Sequence, residues 1–195
     1  LMLNNKLDET ASGVYIISAT PFKDSGELDI ESTKKLIDFY IEKGVNGITI
    51  LGVMGEAPKL TAEESKIFLK TVIKQVNNQV PVIVGVSNPG IDNLIDLANF
   101  SMDADAAGVM IAPPPGIGTE EKLYNYLANT LDKLDARIPV CYQDYPFFTK
   151  TEISVATFNK IIGEYDQVVM FKHEEWPGLN KLSRIRYSSD KGDTR

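Results

Sequence analysis

Six short apolar runs punctuate the chain, at "GVYIISATP", "GITILGV", "VPVIVGV", "AGVMIAPPP", "IPVCYQDYP" and "VVMFKHE". They are continuous rather than alternating, the pattern of strands covered on both faces. Between them apolar residues recur at helical spacing. Ile30, Lys34, Ile37 and Ile41 mark one helical side before Gly44, and Thr61 with Glu64 supplies a capping box ahead of Phe68, Val72 and Val76. A third connector places Ile91, Ile95 and Ala98 on one side with Leu94 widening the stripe. A fourth starts at Thr119 and repeats Leu123, Leu127, Leu131 and Leu134. The segment "ISVATFNKIIG" and a shorter one carrying Leu179, Leu182 and Ile185 complete the series.

Strand and helix thus alternate six times, with strand starts near Tyr15, Ile48, Val82, Val109, Ile138 and Val168. The spacing of about 27 to 34 residues is that of a βα unit in a parallel α/β barrel. A doubly wound sheet shares the alternation. The early segment lacks its Gly-x-Gly-x-x-Gly turn, however, and the chemically unusual residues collect at the C-terminal ends of separate strands, which favours a TIM (β/α)8 barrel. Only the first six βα units of such a barrel are present, since "YSSDKGDTR" supplies no seventh strand. Residues 1–195 therefore read as one incomplete TIM-barrel catalytic domain.

Charge and composition narrow the chemistry. Acidic residues outnumber basic ones 27 to 20, for a formal charge of −7, which argues against nucleic acid or an anionic membrane as partner. Cys141 is the single cysteine and there is one histidine, so neither a disulfide framework nor a structural zinc site is expected, and a reducing cytoplasm fits. No apolar run reaches the roughly 18 residues that span a bilayer, and the opening segment lacks a convincing secretory pattern. No metal or cofactor is called for.

The most unusual position is Lys172, which ends the apolar run beginning at Val168. Strict alternation puts Val168, Met170 and Lys172 on one face of the strand, and Val169, Phe171 and His173 on the other. In the preceding strand Val140 and Tyr142 share a face opposite Cys141. If Val140 and Val168 face the barrel interior, Tyr142 and Lys172 both arrive at its mouth, Asp144 and Glu174 lie one layer further out, and Cys141 packs between strand and helices. A lysine beside apolar groups loses hydration and gains access to the neutral amine that attacks a carbonyl. Tyr142, within hydrogen-bond reach, would relay the protons.

Five landmarks in order, "SATPF", "LGVMGEAPKLTAEE", "VPVIVGV", "YQDYP" and "MFKHEE", cover most of the chain. Through them the sequence resembles the dihydrodipicolinate synthase and N-acetylneuraminate lyase superfamily of pyruvate-dependent Schiff-base enzymes. The resemblance implies a full eight-stranded barrel, assembled as a dimer or tetramer. It implies Lys172 as the imine-forming lysine and Tyr142 as the strand-five tyrosine. It also implies that Gly52 to Glu56 form the pocket for the keto-acid carboxylate, with Val53, Met54 and Gly55 among the substrate-binding residues. Val53 and Met54 stand where the family has a threonine pair, Pro114 or Pro115 where it has a tyrosine, and "YQDYPFFTK" lacks the arginine common to members making dihydrodipicolinate. The departures point to a divergent aldolase or lyase for a 2-keto acid and an aldehyde, with Asp144 and Glu174 contacting substrate. The competing reading is a weak or inactive keto-acid-binding scaffold.

Overall fold

The computed structural model describes residues 6–194. Strands β1 (Tyr15–Ile17), β2 (Gly47–Ile50), β3 (Val82–Gly85), β4 (Gly108–Ile111), β5 (Val140–Asp144) and β6 (Val168–His173) pair in chain order, each parallel to the next. Between them run α1 (Ile30–Glu42), α2 (Ala62–Val76), α3 (Ile91–Asp103), α4 (Glu120–Lys133), a single turn α5 (Pro146–Thr149) and α6 (Val155–Glu164); α7 (Leu179–Asp190) follows β6. Neighbour-to-neighbour parallel order needs a crossover helix at every step, and the result is a half-barrel wall with helices packed outside it.

Local sequence starts these helices where the pattern places them. Thr61 accepts from the Glu64 amide at 3.1 Å while the Glu64 carboxylate accepts from the Thr61 amide at 2.8 Å, so both halves of the capping box form. Thr119 caps α4 through the Lys122 amide at 3.2 Å. The buried stripe of α3 centres on Leu94 with Ala98 and Ser101, rotated from the Ile91 and Ile95 side. In α1 it runs Thr33, Ile37, Tyr40. No residue of α7 is fully buried, and Leu179 is 79% and Leu182 48% exposed, because this helix lies at the open edge of the sheet, where no further strand follows among the described residues. None of the helices among the described residues is long and apolar enough to cross a membrane.

The core divides by strand face. Toward the helices, Ile48, Ile50, Val82, Val84, Val109, Ile111, Val140, Tyr142 and Val168 join Phe68, Leu94, Leu123 and Phe158 in one cluster. A smaller cluster of Ile83, Met110 and Cys141, with Tyr15, Val169 and Met170 against it, lines the inner face. Alternation along β5 therefore sends Cys141 and Gln143 inward and Val140, Tyr142 and Asp144 outward. Cys141 does not pack between strand and helices as its sequence context suggested.

One irregularity decides where Lys172 points. Val140 pairs with Val168, but Cys141 pairs with Met170, so Val169 is an extra residue at a bulge. The bulge shifts the phase of β6 by one residue. Val168 stays on the helix side with Val140, whereas Met170 and Lys172 turn inward beside Cys141 and Gln143. Uninterrupted alternation from Val168 to Lys172 fails for this reason.

Candidate active site

Lys172 is the penultimate residue of β6, on the inner face at the C-terminal edge of the sheet. Its side chain is 23% exposed and its Nζ lies 2.9 Å from Glu174 Oε1. Register sets Gln143 directly beside it on β5. Gln143 is buried at 3% exposure, and its Nε2 donates to the same Glu174 Oε1 at 2.8 Å. The Glu174 amide in turn donates to the Asp144 carbonyl at 2.8 Å, continuing the parallel pairing one residue past the strand. An amine, an amide and a carboxylate therefore converge at the mouth, each placed by backbone pairing of two adjacent strands. Lys172 is not enclosed by apolar groups alone: a carboxylate is its nearest charged partner.

Beneath this group sits Cys141, 2% exposed. Burial pushes its thiol up to about 12, a rise that the nearby Lys172 charge opposes only in part. At neutral pH it stays a thiol and packs as a small apolar group.

Tyr142 is not brought to Lys172. It pairs with Phe171 on the opposite face, stacks on that ring at 6.0 Å and meets Phe158 at 6.2 Å. Burial raises its phenol well above the ordinary tyrosine range, with a further push from Asp144. Its hydroxyl is buried with no hydrogen-bond partner among the described residues. The expectation that Tyr142 relays protons to Lys172 is corrected: the bulge that turns Lys172 inward leaves Tyr142 among the helices. Because a buried hydroxyl without a partner costs about 1 to 3 kcal/mol of desolvation, Tyr142→Phe should stabilise the fold by up to about that amount. It should also leave turnover within about twofold. Thermal unfolding with a steady-state assay checks both.

Asp144 faces outward too, on the opposite side of the wall from Lys172. It is 1% exposed; its Oδ2 lies 3.0 Å from His173 Nδ1 and 3.1 Å from Lys181 Nζ, and its Oδ1 has no partner among the described residues. His173, which the sequence placed away from the interior, spans from Asp144 to the Gly178 carbonyl at 2.8 Å and stacks on Phe171. Burial alone would depress Lys181, but its bonds to Glu175 and Asp144 outweigh it and hold the amine above its ordinary value. Asp144, His173 and Glu175 carry ligand atoms within 4.8 Å of one another. The Lys181 ammonium already supplies a cation to both carboxylates, so the cluster reads as an anchor for α7 rather than a metal centre.

The turn after β2 meets the same edge of the sheet. Leu51 and Glu56 adopt left-handed backbone at φ 55° and 56°, and a Cβ on Gly85 would fall 2.2 Å from the Leu51 carbonyl oxygen. Glycine at 85 is thus what lets this turn pass over the end of β3. Thr20 donates to the Gly55 carbonyl at 2.6 Å, tying the loop after β1 to it. Gly55 is buried, Val53 half-buried and Met54 54% exposed. Gln143 is the site residue that sequence reasoning missed. It was visible in "YQDYP", one position from the tyrosine chosen, and only the bulge reveals which parity reaches the lysine.

Comparison with known proteins adds the lineage. The model of the dihydrodipicolinate synthetase family matches residues 10–192. A curated relative from Methanosphaera stadtmanae, 4-hydroxy-tetrahydrodipicolinate synthase, is 31% identical over 89% of the chain and 57% of its own length. The crystal structure of dihydrodipicolinate synthase from Rhodopseudomonas palustris superposes with a TM-score of 0.94 at 41% identity, over 97% of this chain and 63% of that one. YagE from E. coli K12, a prophage protein of the same family solved in complex with pyruvate, superposes with a TM-score of 0.77 at 27% identity, covering 84% of this chain and 54% of that one. The chain therefore spans between 54% and 63% of the length of these relatives.

Proposed function

Since the chain belongs to the dihydrodipicolinate synthetase family, we propose that it supplies the first six βα units of a class I Schiff-base aldolase or lyase. In this reading residues 1–195 are the larger part of an eight-unit catalytic domain acting on pyruvate or a related short 2-keto acid. The observation that carries the reading is Lys172 on the inner face at the sheet's C-terminal edge, where barrel enzymes hold their chemistry, beside a carboxylate 2.9 Å away. The pyruvate complex of YagE supports the substrate class.

Lys172 Nζ adds to the C2 carbonyl of the keto acid, and loss of water leaves the imine. The imine draws electrons from C3, which loses a proton to give an enamine. That enamine attacks an aldehyde, or the reverse sequence releases one. The keto-acid carboxylate is received by backbone amides of the Gly52–Gly55 turn, because Val53 and Met54 offer no hydroxyl. A cytoplasmic dimer or tetramer completes the proposal.

Reduction by borohydride in the presence of pyruvate tests it on the full-length protein. The peptide containing Lys172 should gain the mass of the reduced keto-acid adduct. No adduct across a panel of short 2-keto acids, or an equal yield on another lysine, sinks the assignment.

A further inference from the structure

With Tyr142 facing the helices, the inner face needs another group to move protons, and we propose that Glu174 is that catalytic acid–base, held for the task by Gln143. This rests on the reading that Lys172 forms the imine. The geometry favours Glu174 over every neighbour. Its Oε1 lies 2.9 Å from the Lys172 nitrogen and accepts from Gln143 Nε2 at 2.8 Å, so one carboxylate oxygen is fixed within reach of the atom to which the substrate becomes joined. Its side chain is 32% exposed, open enough to trade protons with water. Cys141, also inward, stays protonated at neutral pH because burial pushes it up to about 12. Asp144 and His173 lie on the outer face and are committed to Lys181 and Gly178.

The steps balance through this one carboxylate. As Lys172 Nζ bonds to C2, the nitrogen gives up two protons, one to the carbonyl oxygen, which becomes the carbinolamine hydroxyl, and one to Glu174. The acid then protonates that hydroxyl, which leaves as water while the nitrogen lone pair forms the protonated imine. Glu174, again a carboxylate, removes a proton from C3; the electron pair of that C–H bond becomes the C2–C3 double bond of the enamine, and the imine electrons settle on nitrogen. When C3 attacks the aldehyde carbonyl, the protonated Glu174 donates to the new alkoxide. Water then hydrolyses the product imine and restores Lys172. Gln143 is a positioning residue in this scheme: it touches the carboxylate rather than the reacting carbons.

The enamine step can be read without an aldehyde, as exchange of the pyruvate methyl hydrogens for deuterium. In the full-length protein Glu174→Gln, which keeps size and hydrogen bonding, should slow this exchange about 10²-fold or more. Borohydride trapping of Lys172 after long incubation should still reach the wild-type end point. Glu174→Ala should show the same loss, and added formate should restore exchange in proportion to its concentration, which a merely structural role would not produce. Exchange within twofold of wild type in Glu174→Gln overturns the proposal, as does loss of trapping at long incubation or failure of formate rescue in a folded Glu174→Ala protein. Absence of trapping in the wild type instead strikes the imine reading itself, so the two failures are separable.

Discussion

Lys172→Ala in the full-length protein should lower carbon–carbon bond turnover by about 10⁴-fold or more, because in the proposed mechanism it removes the atom that becomes covalently bound to substrate. The fold should survive. The lysine side chain is 23% and its partner Glu174 32% exposed, so breaking that pair costs at most about 1 kcal/mol after solvent screening. Turnover and urea unfolding measured on the same preparations separate the two effects. A variant that unfolds with wild-type midpoint yet retains more than a tenth of wild-type turnover would refute the nucleophile. The keto-acid-binding scaffold makes a different forecast: no product from either protein, with equal keto-acid binding to both.

That experiment depends on a feature no residue pattern announces. The alternation of six strands and six helices was legible because apolar runs bounded by glycine and proline report strands buried on both faces, and because Thr61 and Thr119 announce helix starts by local chemistry alone. Lys172 was legible for the same reason: a charge ending an apolar run stands out. The face on which each residue falls was not. "VVMF" offers four apolar residues in succession, so nothing in it marks Val169 as the extra one; the bulge appears only when β6 is paired against β5. One residue of slip exchanged Tyr142 for Gln143 beside the lysine and moved Cys141 from the helix layer to the inner wall. The turn after β2 shows the same limit. Its glycines were conspicuous, but the need for Gly85 on the next strand comes from the approach of the Leu51 carbonyl, a contact between residues 34 apart in the sequence. In α7 the pattern of Leu179, Leu182 and Ile185 correctly reports a helix while saying nothing of burial, since burial depends on a neighbour beyond β6.

Besides Ile185 packing against the core, what secures α7 is the ion cluster around Asp144, and its removal carries a large stability effect. The Asp144 side chain is 0% exposed, that of His173 11% and that of Lys181 12%, so all three are largely out of water. Asp144→Ala would leave an ammonium and an imidazole facing each other with the carboxylate gone, and deletion of one partner from a buried charge cluster costs about 3 to 5 kcal/mol. The lower end applies here, because Lys181 keeps Glu175 as a partner and its long stem can carry the ammonium outward once α7 loosens. We expect a loss of about 3 kcal/mol in urea unfolding, accompanied by faster amide exchange concentrated in α7. Asp144→Asn should cost roughly half as much, since the amide oxygen still accepts from either donor while the charge is lost. The same variants address whether Asp144 touches substrate, as its place one layer beyond Tyr142 on the same strand suggested. On the outer face it should affect keto-acid trapping at Lys172 only through the strand end it shares with Glu174, whose amide donates to the Asp144 carbonyl, a bond that neither substitution removes. Trapping should therefore reach the wild-type yield wherever the variant is folded. Lost trapping with stability and α7 protection intact would return Asp144 to the substrate side and contradict the placement of β5 described above.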